Sequence, residues 1–122
     1  MHELSVCQAL MTQVDEIATR ERAARVTAIV LRIGPLSGIE AGLLADAFPI
    51  AAAGTVAEGA ELRVEQLPVR VHCTSCGADS DATPNRLLCA ACGDYRTRLI
   101  SGDEMLLASL ELEREAQTGT DD

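Results

Sequence analysis

The sequence predicts an α/β fold, with two helices on a small three-stranded sheet and an inserted four-cysteine module. Three observations carry this reading. An apolar stripe at three-and-four spacing starts at Leu4, alternating runs of extended type follow, and two Cys-x-x-Cys pairs fall between the second and third strand candidates. The 122 residues, 48% apolar and 24% charged, suffice for one modest core and are too few for two full domains.

The first helix is expected from almost the first residue, because Leu4, Cys7, Leu10, Met11, Val14, Ile17 and Ala18 share one face. Glu3 lies near the positive end of its dipole and Arg20 and Arg22 near the other end. From Arg25 to Ile33 the chain turns β-branched and aliphatic, which predicts a largely buried strand. Thr27, Ile29, Leu31 and Ile33 would form one face, with Val26, Ala28 and Val30 on the other. Gly34-Pro35 ends it. Ser37-Gly38-Ile39-Glu40 has capping-box spacing, so a second helix should begin there, with Ser37 accepting from the Glu40 backbone. It carries Leu43, Leu44, Ala47 and Phe48, and Pro49, which lacks an N–H and clashes one turn back, should kink or stop it near Phe48.

Glu61, Arg63 and Glu65 alternate with Leu62 and Val64, and Leu67, Val69 and Val71 resume the alternation after a slip near Pro68, giving a second strand. Leu106, Ala108, Leu110 and Leu112 form one face of a third, between Glu104 and Glu113. This strand should return beside the first part of the chain. The organisation read from the sequence is an α/β domain of residues 1–69 and 102–114, an insert of residues 70–101, and a flexible acidic tail of residues 115–122.

Within the insert, Cys73-Thr74-Ser75-Cys76-Gly77 and Cys89-Ala90-Ala91-Cys92-Gly93 are like knuckles. Each brings two thiolates to one side of a tight loop, and two facing loops supply a closed tetrahedral sulfur shell suited to structural zinc. Gly77 and Gly93 let the backbone turn back with positive φ. The module is thus zinc-ribbon-like, with rubredoxin-type iron or a redox dithiol as the other occupancies of such spacing. A closed shell leaves no open position for catalysis, so the ion would serve to fold an insert that has few large apolar residues. Cys7, on the helical stripe, reads as a small buried hydrophobe, and His72 adjoins the first knuckle.

Composition narrows the function. A net charge of −9 repels backbone phosphate, and Phe48 and Tyr95, the only aromatics, offer little for base stacking. Nucleic acid is therefore a poor partner. No apolar stretch is long enough to span a bilayer and the start lacks a signal-peptide pattern, so a cytoplasmic location is expected, where disulfides are disfavoured. There is no phosphate loop or paired-carboxylate motif, which argues against an enzyme.

Met1-His2-Glu3 adds a second candidate metal site. A bulky residue at position two should keep Met1 in place, and its amine, the deprotonated His2 amide and the imidazole Nδ1 can close two rings around one ion in a plane. Square-planar nitrogen coordination suits Ni(II) or Cu(II) and suits tetrahedral zinc poorly. Glu3 could add a donor, and Glu40 could come close if the two helix starts are neighbours.

Together Met1-His2-Glu3-Leu4-Ser5, the Ile33-Gly34 turn leading to Ser37, the pairs Cys73/Cys76 and Cys89/Cys92, and Gly102-Asp103-Glu104-Met105 resemble the HypA/HybF family of hydrogenase nickel-insertion proteins over about residues 1 to 113. The resemblance implies a cytoplasmic metallochaperone that carries Ni(II) as cargo and, with a HypB-type GTPase, delivers it to the large-subunit precursor of [NiFe]-hydrogenase. Some members also serve urease. It further implies nickel ligation by His2, with Met1 and Glu3 as close partners and Glu40 as an acidic ligand, and structural zinc on Cys73, Cys76, Cys89 and Cys92. Pro49 in the second helix and His72 ahead of the first knuckle depart from the family pattern. Two other readings use the same cysteines: a zinc-ribbon module that binds protein or nucleic acid through Arg70, Arg86, Arg96 and Arg98, and a rubredoxin-like electron carrier. Self-association into a homodimer is left open by the sequence.

Overall fold

In a computed structural model of the chain, residues 3–114 are described. Their order is α1 (Glu3–Arg20), β1 (Ala23–Ile33), α2 (Ala41–Ala52), β2 (Glu61–Gln66), β3 (Val69–Cys73), β4 (Asp79–Ala82), β5 (Thr97–Ser101) and β6 (Met105–Arg114). The expected α/β class holds, with two helices and a three-stranded sheet of order β2-β1-β6. The last strand does return beside the first. A second three-stranded sheet, β4-β3-β5, belongs to the cysteine-bearing segment.

The chain divides into two compact units. One takes the chain through Leu31, Glu40–Arg63 and the chain from Leu107; the other takes Arg32–Ile39 and Val64–Leu106. The tail of residues 115–122 lies outside the described residues.

In the first unit α1 buries Val6, Cys7, Leu10, Met11, Val14 and Ala18. The stripe is rotated from the expected one: Val6 is buried, Leu4 is exposed, and Ile17 is half-buried. Arg22, just past the helix, takes a positive φ of 57°, the left-handed turn that often closes a helix. Strand β1 is largely buried from Val26 on, as expected. Val26 and Ala28 are buried on one face and Ile29, Leu31 and Ile33 on the other, so the more buried side changes between Ala28 and Ile29. On the exposed face of this unit, Arg25 pairs with Glu113 at 2.8 Å, and Arg63 pairs with Glu61 at 3.0 Å and Glu111 at 3.2 Å. Such exposed pairs contribute little to stability.

Helix α2 starts later than the sequence suggested, and of the two outcomes expected at Pro49, a kink or a stop, it does not stop there. Ser37 accepts from the Ile39 N–H at 3.2 Å and does not cap the helix. Glu40 is the cap instead, its carboxylate accepting from Leu43 N–H at 2.9 Å and Gly42 N–H at 3.3 Å. The helix continues through Pro49 to Ala52, burying Leu44, Phe48 and Ala52. Burial of the last of these favours the extra turn over an end at the proline.

The run from Glu61 to Val71 is not one slipped strand. It is two strands in different sheets, separated at Leu67-Pro68, because Pro68 cannot donate to a ladder. The loop after β1 packs against the turn before β6: Gly34 N–H donates to the Glu104 carbonyl at 2.8 Å and Leu36 N–H to the Gly102 carbonyl at 2.7 Å. Val69, Val71, Cys73 and Cys89 are buried in the second unit.

Candidate metal centres

The cysteine centre is built by two turns of the same design. Gly77 N–H closes on the Cys73 carbonyl at 2.9 Å and Gly93 N–H on the Cys89 carbonyl at 2.8 Å, with φ of 79° and 77° at the two glycines. Within each turn the second cysteine's N–H points at the first one's sulfur, Cys76 to Cys73 and Cys92 to Cys89, both at 3.4 Å. The first cysteine of each pair is buried and the second exposed. Across the turns, Cys73 Sγ lies 3.6 Å from Cys92 Sγ and Cys76 Sγ lies 3.6 Å from Cys89 Sγ; all four sulfurs fall within 4.8 Å of one another. Zinc–thiolate bonds of about 2.3 Å in a tetrahedron place the sulfurs about 3.8 Å apart, so this donor set fits such an ion.

Electrostatics favour thiolate at two of the four. The Cys92 N–H lowers Cys89 to about 6, and the Cys76 N–H lowers Cys73. The exposed members go the other way. The Asp94 N–H favours the Cys92 thiolate, yet the sulfurs of Cys73, Cys76 and Cys89 push that group up to about 12. Cys76, favoured by the Ala78 N–H, is likewise raised by Cys89 and Cys73.

Side chains around the cluster tie the turns together. Ser75, in the first turn, donates to the carboxylate of Asp94, which follows the second, and this bond together with the Arg96 N–H holds Asp94 below the usual carboxylate range. Ala90 N–H donates to Ser80 Oγ at 3.0 Å, linking the second turn to β4. His72 Nδ1 is 2.6 Å from Asp79 Oδ1, its neighbour across β3 and β4. Asp94, Ser75 and Ser80 were not singled out from the sequence, because no spacing rule marks an outer shell around a metal.

The second candidate centre is at the helix starts of the first unit. Glu40 N–H donates to Glu3 Oε2 at 3.2 Å, so the first turn of α1 and the cap of α2 are neighbours. The carboxylate of Glu40 is turned toward Gly42 and Leu43. Met1 and His2, the other predicted nickel ligands, lie outside the described residues. Cys7, one helical turn from Glu3, is fully buried, its thiol toward the Leu44 carbonyl at 3.6 Å; burial, and then the charge of Glu3, push it up. It is an inert apolar group, as expected.

A family model described as hydrogenase/urease nickel incorporation, metallochaperone, hypA matches residues 1–112. A hydrogenase maturation factor HypA from Nitrosospira multiformis is 48% identical over 112 residues, covering 92% of this chain and 97% of that protein. Another from Aquifex aeolicus is 44% identical over 113 residues, covering 93% and 98%. The solution structure of the nickel metallochaperone HypA from Helicobacter pylori superposes with a TM-score of 0.72 at 27% identity, covering 94% of this chain and 100% of that one.

Proposed function

Because the chain belongs to the HypA family of nickel metallochaperones in hydrogenase maturation, we propose that it takes up Ni(II) at residues Met1, His2 and Glu3 and hands it, with a HypB-type GTPase, to the large-subunit precursor of [NiFe]-hydrogenase. The observation that carries the amino-terminal site is the bond from Glu40 N–H to Glu3 Oε2 at 3.2 Å. It holds the residue that follows His2 against the start of α2. Glu3 follows His2 directly in sequence, and nitrogen donors from Met1 and His2 suit a planar Ni(II) ion.

Transfer on this reading is ligand exchange. A site of exchangeable ligands releases its ion to a partner without a nucleophile or a general base, so on this reading the chain is not an enzyme. Glu40 contributes a carboxylate only by leaving the N–H groups of Gly42 and Leu43. Zinc on Cys73, Cys76, Cys89 and Cys92 supplies folding energy to the 70–101 insert and no reaction chemistry, since four cysteines close its shell. The workplace is the cytoplasm, where the thiols stay reduced. No described helix is long and apolar enough to cross a membrane.

The test is metal content and nickel titration of protein whose first residue is Met1. One tightly held zinc and one weaker nickel are expected, with nickel lost in His2→Ala and on extension of the chain ahead of Met1. Nickel retained at full stoichiometry and affinity in both variants, or seated on sulfur by X-ray absorption, overturns the amino-terminal site.

A further inference from the structure

Strand β5 is at the end of the sheet order β4-β3-β5, so one side of Thr97–Ser101 has no neighbouring strand. Residues directly opposite in antiparallel strands share a face. His72 is opposite Asp79 on one side and Arg98 on the other, which makes Asp79, His72 and Arg98 a row across one face. On the β4 side of that face the carboxylates have partners. Arg70 Nη1 bonds Asp81 Oδ1 at 2.6 Å, and His72 Nδ1 lies 2.6 Å from Asp79 Oδ1. The β5 side is unmatched: among the described residues Arg98 has neither an ion-pair nor a hydrogen-bond partner for its guanidinium. Ile100, next but one on β5, stands at a register shift of the β3–β5 ladder, where Val71 faces Leu99 and Arg70 faces Ser101, and is 47% exposed. Ahead of the strand, Tyr95 is 71% exposed, with the Arg96 guanidinium 5.5 Å from its ring centre.

An unmatched cation on an open strand edge, beside an apolar side chain and an Arg-Tyr pair, has the composition of a binding edge. It lies in a chain whose net charge is −9, so its sign is not that of the general surface. We propose that the open edge of β5 docks an extended acidic segment of a partner protein. The segment adds as a fourth strand along the regular part of β5, places a carboxylate opposite Arg98, and places an apolar side chain near Ile100 at the bulge. Backbone hydrogen bonds supply the register, and the charge pair selects the segment.

The probe is a capped six-residue peptide with glutamate and valine two positions apart, titrated into the zinc-loaded, nitrogen-15-labelled full chain, with a lysine-for-glutamate peptide as control. The expected result is chemical-shift change and slowed amide exchange centred on residues 97–101, with the glutamate peptide binding about tenfold more tightly than the lysine one. Arg98→Glu, at an exposed position, should keep its zinc and reverse the preference. Equal binding of the two peptides, shifts centred elsewhere, an unchanged preference in Arg98→Glu, or no binding at all overturns the proposal; in that last case Arg98 guards the edge against pairing.

Discussion

The N–H of Glu40 donates to Glu3 Oε2 at 3.2 Å, while the carboxylate of Glu40 faces the opposite way, toward the N–H groups of Gly42 and Leu43. One residue thus fastens two helix starts, through its backbone on one side and its side chain on the other. Glu3→Ala removes the acceptor and should cost about 1 kcal/mol of stability. Glu3→Gln retains an amide oxygen and should recover most of it. Nickel affinity should follow the same order if Glu3 acts by holding the chain start in place. Equal nickel affinity in the two variants would show that the carboxylate charge, and not the tie to Glu40, is what the ion senses.

Glu40 separates capping from nickel binding. Glu40→Ala should lose the cap and cost about 1 kcal/mol, whereas Glu40→Asn restores a favoured capping residue and should lie close to the parent in thermal melts. Both lack a carboxylate. Weakened nickel binding in both therefore assigns Glu40 to the ligand set, and weakening in Glu40→Ala alone assigns it to the helix cap.

The two variants touch a point where the sequence was only half legible. Ser37 to Glu40 signalled a helix start by spacing, but the hydroxyl went to Ile39 and the longer Glu40 side chain folded back over its own helix, a choice that spacing cannot express. The α1 stripe and the paired knuckles were readable because helical period and metal geometry leave marks in sequence. Strand β4, with the sequence Asp79-Ser80-Asp81-Ala82, has no apolar alternation to mark it, and it sets Asp79 opposite His72 and Asp81 opposite Arg70. Pro68 was seen as a slip when it is a change of sheet, since a missing N–H marks a break and not where the chain goes next.

Gly34 offers a sharper stability test. A Cβ on Gly34 would stand 2.1 Å from both the carbonyl carbon and the oxygen of Gly102 and 2.8 Å from the Asp103 nitrogen, all backbone atoms with no flexible end to give way. Gly34→Ala should therefore break the pairing of Gly34 N–H with Glu104 and of Leu36 N–H with Gly102, at a cost of more than about 3 kcal/mol. A melting temperature within a few degrees of the parent would mean that the two turns can move apart cheaply.

Zinc binding should release protons, and the exposed sulfur of each pair supplies one. In the metal-free fold Cys89 is lowered to about 6 from an ordinary value near 9, so its thiolate stabilises that fold fully above 9 and the contribution fades as pH falls through 6. Cys92, raised to about 12, has the opposite sign: its neutral form contributes below 9 and is lost only as pH rises through 12. At about pH 7 Cys92 and Cys76 thus still carry protons that a fourfold thiolate site must displace. The apparent zinc dissociation constant should fall at least about a hundredfold per pH unit there, and more steeply below 6, where Cys89 also has to ionise. Competition with a coloured chelator across this range, together with calorimetry in buffers of different ionisation enthalpy, measures the slope and the proton count directly. A slope near zero would mean that all four sulfurs are ionised before the ion arrives, and that the backbone N–H groups of Cys76 and Cys92 do far less to order the four titrations than their 3.4 Å contacts imply.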